Sequence, residues 1–420
     1  MRIKVILNIA GLICMALGLA MLIPLAVSAF FGDGDTVAFG ISSAASIGIG
    51  GSLFFIFRSP GIEISHREGF LVVAVSWISA SIVCALPYYI SGAIPSVIDC
   101  LFEATSGITT TGASVLNNVE SLPHGILFWR SFTHWLGGMG IIVLSVAILP
   151  LLGIGGMQLY KAEASTISGD KFVPRIKEMA RILFIVYAVI SFAMLVLLII
   201  GGMGIYDSFI HMLGGVSTAG FSSKNASIAH FGSVYVEVVV MFFMILGGAS
   251  FALHYGFFRK GLISYTKNEE FKFYLLMIAL STIILTICLK GAVFAGIGES
   301  LRYASFQAVS LITTTGYTSA DYGNWPVYAQ LIILCLMFIG GSAGSTTGAI
   351  KCVRVLLILK LVYKEIYKLI HPHAVIPVKL AGKAVPIEIL RSVLGFSALF
   401  ILAFIISAIL LSFTGLDFMT

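Results

Sequence analysis

Charge is what this 420-residue chain has least of: only 10% of its residues are Asp, Glu, Lys or Arg, against roughly 25% in an average soluble domain. With 59% hydrophobic residues, a soluble globular protein is excluded. Cysteine is also sparse. Cys14, Cys84, Cys100, Cys288, Cys335 and Cys352 stand mostly alone in apolar stretches, with no C-x-x-C and no metal-ligand spacing, so they are expected as packing residues. His371-Pro372-His373 has no adjacent Cys or carboxylate and is expected as a turn rather than a ligand pair. No catalytic constellation, organic cofactor or nucleic-acid partner is expected.

What is present is apolar sequence and glycine, 44 residues of it. Glycine is commoner in membrane helices than in soluble ones, and the chain is expected to be an all-α polytopic membrane protein. Crossing the hydrocarbon core takes about 20 apolar residues, so the length has room for roughly a dozen spans. Apolar runs bounded by charges or Gly/Pro clusters place spans near 5–30, 36–57, 69–92, 126–151, 179–204, 233–258, 273–297, 327–369 and 388–414. The first follows Arg2 and Lys4 and exceeds 20 residues, and Val27-Ser28-Ala29 would pass as a cleavage site. A secretory signal core has about 7 to 15 residues, so this segment is expected to be a retained span. The eighth run is too long for one uninterrupted span, and the glycine cluster 340–348 lies in its middle.

With the N-terminus in the cytoplasm and sides alternating, only Arg130, Lys224, Lys290 and Arg302 of the 25 basic residues fall outside, as the positive-inside rule requires. Ten of the 19 acids also fall outside, giving net charges of −6 outside and +12 inside. A negative outer mouth would concentrate cations; short outer loops that merely lack Lys and Arg explain it equally well. The basic inner face is expected to meet anionic lipid headgroups.

Three apolar segments are too short to span, and they align without gaps: DCLFEATSGITTTG (99–112), DSFIHMLGGVSTAG (207–220) and YASFQAVSLITTTG (303–316). Each lies between two spans. About ten helix-compatible residues lead into small hydroxylated residues and a glycine, so each segment should dip in from outside and return. Irregular backbone at that depth is tolerated only where it is buried or lines a water-filled cavity. Glycine permits backbone angles that side chains forbid, letting successive carbonyls face an axis and replace the hydration shell of a monovalent cation. A filter of oxygens with no carboxylate suits K+ rather than Ca2+ or Mg2+. Glu103, His211 and Gln307 share one column of the alignment, where helix packing or a hydrogen bond behind the filter is expected. His134 and Trp135 read as span residues near the outer mouth.

The motifs SHREGF (65–70), SGITTTGAS (106–114), SLPHGILFWRSFTHWLGGMGIIVLSVAILPLLGIGGMQLYKAE (121–163), TAGFS (218–222), TTTGYT (313–318) and GGSAGSTTGAIK (340–351) resemble the Trk/Ktr/HKT superfamily of K+ translocating subunits, most closely its bacterial Trk-type membrane subunit. The resemblance runs over essentially the whole chain. It implies a K+-channel-like fold of M1-P-M2 repeats around a single pore, with two extra N-terminal helices. The corresponding division is 1–68 for the extension, 69–151, 152–258 and 259–370 for three repeats, and 371–420 for the start of a fourth. By motif, the filter positions are Thr110, Thr111 and Gly112, Thr218, Ala219 and Gly220, and Thr314, Thr315 and Gly316. The resemblance further implies a homodimer in the bacterial inner membrane and a cytosolic ring of regulatory subunits that bind NAD or ATP. Arg259, Lys260, Lys267 and the segment from Lys379 to Arg391 are the expected docking surface for that ring.

Gly340-Gly341-Ser342-Ala343-Gly344-Ser345-Thr346-Thr347-Gly348 has no G-K-[ST] and lies within an apolar run, which excludes a phosphate loop. Helix packing through Gly340, Gly344 and Gly348 remains one reading. The other is a broken helix whose loop gates the pore, since helix propensity is poor over these residues and their hydroxyls suit a wet cavity; the resemblance places the family's gating loop here. Lys351 is expected near the inner cavity. A first helix of a fourth repeat is present near 388–414, and Asp417-Phe418-Met419-Thr420 resembles the start of a fourth pore segment. The chain is therefore expected to be C-terminally incomplete and, alone, not to conduct selectively. The functional expectation is a K+ translocating subunit with channel-like flux; the alternative is a non-conducting remnant or membrane scaffold. Coupling to H+ or Na+ stays open, as no ionisable residue is clearly placed at a mid-membrane site.

Overall fold

The structure is a computed structural model that describes residues 3–58, 66–147 and 172–415. Its secondary structure is helical, as expected, with one short hairpin pairing Lys379–Leu380 with Lys383–Ala384 among the described residues. Among the described residues, six helices are long and apolar enough to cross a membrane, counting Ile3–Phe31 as one, and Val234–Gly248 with Phe251–Arg259 forms a broken pair. The described residues pack as two compact units, one drawn from Met1–Leu152, Phe184–Gly247 and Thr315–Ser319, the other from Gly153–Leu183, Gly248–Thr314 and Ala320–Thr420.

In the first unit, the helix Ile3–Ala20 continues beyond Met21 as Leu22–Phe31 and packs on Thr36–Ile56. Small residues set that approach. A Cβ on Gly11 would lie 2.7 Å from the Gly50 carbonyl oxygen, and one on Gly50 would lie 2.7 Å from that of Gly11, so the backbones touch where glycine removes the side chain. Ser43 Oγ donates to the Gly18 carbonyl at 2.7 Å and Asn8 Nδ2 to that of Phe54 at 2.7 Å. The turn of this pair then caps a later helix, His124–Ala147: the Asp33 carboxylate accepts from the His124 N–H at 2.6 Å and Asp35 from the Ile126 N–H at 3.0 Å. Both are donors that the first helical turn leaves without an internal partner, and negative charge is favoured there.

In the second unit, Asn268 caps Glu269–Leu289 by accepting from the Phe271 N–H at 2.7 Å. That helix packs against Ile297–Ile312, and both pack against Val327–Met337. The last described helix, Ile387–Ser412, meets Cys352–Ile370 at one end, where Ile389, Leu390 and Val393 join Val353, Leu357 and Val378 in a buried cluster. Beyond that end its apolar side chains are exposed, Leu399 at 65% and Leu410 at 63%, as suits a surface facing lipid or a further protein layer.

Two expectations are corrected. The run 233–258 is not one helix but breaks at Ala249-Ser250. The cause lies in distant residues: the Gly248 carbonyl accepts from the Ser342 N–H at 2.8 Å and the Phe251 N–H donates to the Gly344 carbonyl at 3.0 Å, so tertiary partners satisfy what the helix gives up. Among the cysteines, Cys14, Cys84, Cys100 and Cys352 are buried, but Cys335 is exposed because it lies on an outward face of its short helix. His371-Pro372-His373 does lie at a turn.

Candidate functional site

The three short segments form helices Val97–Ile108, Ile205–Val216 and Ile297–Ile312, of 12, 12 and 16 residues. Ser96 caps the first, accepting from the Asp99 N–H at 3.3 Å. All three end alike. The Thr110 N–H donates to the Gly107 carbonyl at 3.1 Å, the Thr218 N–H to that of Gly215 at 3.2 Å and the Thr314 N–H to that of Leu311 at 3.0 Å. In the first two, the next residue closes a longer bond, Thr111 to Ser106 at 2.9 Å and Ala219 to Gly214 at 2.9 Å. Paired bonds of this kind make a Schellman cap, whose key residue is left-handed and usually glycine. Here it is threonine: φ is +57° at Thr110, +53° at Thr218 and +55° at Thr314, a conformation costing an L side chain roughly 1–2 kcal/mol.

Two residues on, the glycines are also left-handed, with φ of +78°, +87° and +80° at Gly112, Gly220 and Gly316. The extended segments, called strands below, abut at the first two of these glycines. A Cβ on Gly112 would stand 1.9 Å from the Ala219 carbonyl oxygen, and one on Gly220 would stand 1.9 Å from that of Thr315. A Cβ on Gly316 would meet nothing within 4 Å among the described residues. Thr218, Ala219 and Thr315 are buried, while Thr111 and Gly316 are exposed. The hydroxyls of Thr109, Ser217 and Thr313 donate back to carbonyls four residues earlier, at 2.6, 2.6 and 2.8 Å, which commits them to the helix ends.

Behind the strands, the aligned column divides. Glu103 accepts from Ser114 Oγ at 3.0 Å and from the Val115 N–H at 3.2 Å, just past Gly112. Arg130 completes the cluster, with Nε and Nη2 each 2.7 Å from the same carboxylate oxygen. Both partners are essentially inaccessible, at 2% and 0% side-chain exposure; pairing and further hydrogen bonds are what let buried charges persist. The Arg130 guanidinium also lies 4.1 Å from the ring centroid of Phe221. His211 Nε2 meets Ser222 Oγ at 2.8 Å, two residues past Gly220. Gln307 is buried and makes no side-chain hydrogen bond among the described residues, which leaves packing as its part in the column. Tyr317 instead ties the third strand to the second, its hydroxyl donating to the carbonyls of Phe221 and His211 at 3.2 and 3.3 Å. His134 lies within the helix His124–Ala147, fully buried, and stacks on Phe221 at 4.0 Å, a contact invisible in sequence because the partner lies far along the chain.

The glycine cluster interrupts its span as expected: helix Val327–Met337 stops and Cys352–Ile370 begins after the loop. Gly340 and Gly344, both at φ +75°, Ala349 at +59° and Lys351 at +80° carry the turns. The loop binds itself through Ser345 Oγ to the Ser342 carbonyl at 2.6 Å, Ser345 Oγ to Thr347 Oγ1 at 2.7 Å and the Gly341 N–H to Thr347 Oγ1 at 3.1 Å. Cys352 Sγ reaches the Gly340 carbonyl at 3.1 Å. Lys351 folds back onto the loop, its ammonium donating to the Thr347 carbonyl and, at 3.1 Å, to Thr347 Oγ1. Thr346 is buried, and Gly348 is exposed with its N–H donating to Thr314 Oγ1 at 2.8 Å. The loop therefore touches the left-handed threonine of the third segment. Packing through overlapping small residues, the other reading of this cluster, needs a continuous helix that is not there.

Residues 36–420 match the TrkH family of cation transport proteins. The chain belongs to that family. The Trk system potassium uptake protein TrkH of Escherichia coli (strain K12) is 37% identical over 421 residues, an alignment covering 99% of this chain and 87% of the relative. TrkG of the same strain is 36% identical, with 100% and 87% covered. The crystal structure of the potassium transporter TrkH from Vibrio parahaemolyticus matches with a TM-score of 0.92 at 34% identity, over 99% of this chain and 87% of that one. The fold is thus that of a helical membrane transporter, with the glycine-bounded short helices as its repeated element.

Proposed function

We propose that this chain is the K+ translocating subunit of a Trk-type potassium uptake system. K+ is the substrate, carried by carbonyls of Thr110, Thr111 and Gly112, Thr218, Ala219 and Gly220, and Thr314, Thr315 and Gly316. The observation that carries this reading is the threefold recurrence of a left-handed threonine and a left-handed glycine at the end of a short helix, with a neighbouring segment touching at two of the three glycines, Gly112 and Gly220. Alternating right- and left-handed residues turns successive carbonyls toward one side, which a filter that replaces a hydration shell needs. The hydroxyls at the helix ends are occupied, so the main chain is left to do the coordinating.

The loop from Gly340 through Gly341, Ser342, Gly344, Ser345, Thr346 and Thr347 to Gly348, with Lys351, is the gate in this reading. Its contact with Thr314 supports the assignment. Lys351 places a tethered ammonium on a loop carbonyl, where it repels an approaching cation while the loop is closed. Conduction is channel-like, through M1-P-M2 repeats over 69–151, 152–258 and 259–370 and the beginning of a fourth over 371–420. The subunit lies in the bacterial inner membrane with a cytoplasmic N-terminus, pairs as a homodimer and carries a nucleotide-binding regulatory ring on its basic face.

Deleting Ser342 to Thr346 tests the gate. 86Rb+ uptake into cells lacking other K+ uptake systems should rise at equal protein level. An unchanged rate would remove the gate from this reading, and absence of selective flux from every variant would favour a scaffold.

A further inference from the structure

Two adjacent carboxylates at the start of the helix Glu269–Leu289 serve different parts of the second unit. Successive helical residues point about 100° apart. Glu270 Oε1 accepts from the Ala343 N–H of the glycine loop at 2.6 Å. Glu269 instead takes the ammonium of Lys360 on one oxygen and the Ala381 N–H at 2.9 Å on the other. Lys360 also donates to the Lys379 carbonyl at 2.7 Å. Lys360 belongs to the helix that leaves the glycine loop, whereas Lys379 and Ala381 belong to the hairpin.

The hairpin is built to be held. Its two-residue turn has φ of +49° at Ala381 and +79° at Gly382, a turn that favours Asn, Asp or Gly at both positions. Ala381 is strained there, and its N–H is the one Glu269 takes. A favourable charge in the first helical turn accounts for an acid at either position; it does not account for two acids gripping two separate elements.

We infer that Glu269 and Glu270 act as a strut joining the hairpin to the glycine loop, so that moving the hairpin loosens the loop. These are positioning residues, and the consequence for ion flow rests on the gate reading above. A partner that draws Lys379 or Lys383, both exposed, away from the helix would release the loop without touching it. The strut itself is a mechanical claim independent of conduction.

Hydrogen–deuterium exchange on the full chain in lipid nanodiscs tests it. Glu270→Ala should speed exchange in peptides covering 338–351 by roughly tenfold, the scale of one charge-assisted hydrogen bond. Glu269→Ala and Lys360→Met, which leave the loop's own contacts intact, should each speed exchange several-fold in 376–386 and also in 338–351, with exchange across 36–56 unchanged as a control for folding. If both speed only 376–386, the strut is refuted. The same variants should raise 86Rb+ flux. Faster loop exchange with flux unchanged in every variant, the loop deletion included, would sustain the strut and overturn the gate reading, whereas a flux rise from the loop deletion with no faster loop exchange in Glu269→Ala would sustain the gate and overturn the strut.

Discussion

Gly220→Ala and Gly316→Ala make a matched pair, because both glycines hold the same left-handed backbone, φ +87° and +80°, in different surroundings. Alanine at either position should incur roughly 1–2 kcal/mol of conformational strain. At Gly220 the new Cβ also falls 1.9 Å from the Thr315 carbonyl oxygen, whereas at Gly316 it meets nothing within 4 Å. Real Cβ atoms essentially never approach within 3.0 Å, so one of the two abutting strands must retreat by about 1 Å, and forced overpacking adds typically 1–3 kcal/mol. The expected losses are therefore about 2–5 kcal/mol for Gly220→Ala and about 1–2 kcal/mol for Gly316→Ala. On the proposed filter, retreat of a segment whose carbonyls would coordinate the ion should also abolish discrimination between K+ and Na+. Thermal unfolding of the purified chain measures the first effect, and 86Rb+ uptake with and without competing Na+ measures the second. Equal destabilisation by the two substitutions, or full Rb+ selectivity in Gly220→Ala, would refute the abutting-strand geometry.

Two further outcomes follow from the same packing. Arg130→Met leaves Glu103 charged, buried and short of its main partner, and should cost about 3–5 kcal/mol in thermal or denaturant unfolding; adding Glu103→Gln removes the stranded charge and should recover part of that loss, a result a merely exposed ion pair would not give. Gly50→Ala should destabilise the N-terminal helix pair by about 1–3 kcal/mol because its Cβ would meet the Gly11 carbonyl and the Met15 N–H. Gly48→Ala, with nothing within 4 Å, should be nearly silent, and equal effects at the two positions would contradict the contact.

The candidate filter was legible because it is written locally and three times: small hydroxylated residues before a glycine, after a short apolar stretch. The left-handed turn at Thr110, Thr218 and Thr314 was not, since threonine disfavours that conformation and only the repeated cap bonds impose it. The interruption at 340–348 was legible from four glycines in nine residues. The matching break after Gly248 was not, because Val234–Gly248 and Phe251–Lys260 read as one apolar run and the carbonyl that ends the first helix is claimed by Ser342, nearly a hundred residues on. The column Glu103, His211 and Gln307 pointed to packing or hydrogen bonds behind the candidate filter: two of the three make such a bond, and Gln307 is packed without one. The strut at Glu269 and Glu270 left no sequence signal beyond two acids at a helix start, a pattern with an ordinary electrostatic explanation.

The three candidate filter segments share a backbone but are not held alike, and that difference bears on how a gate could act. The first is fixed by a buried carboxylate–guanidinium pair, and the second by a histidine bonded to Ser222. Each such lock runs from the segment's own repeat to the stretch just past its glycine. In the third, Gln307 provides no such bond, and Tyr317 anchors to the second repeat's carbonyls instead. Its strained threonine, Thr314, is the one whose hydroxyl accepts from the glycine loop. A residue that already stores conformational strain relaxes most readily when an external contact is withdrawn. Loosening the loop would therefore be felt first at Thr314, in the segment with no such lock of its own, so on the gate reading proposed above the loop would not only block a path: its position would also help hold the third set of carbonyls in register.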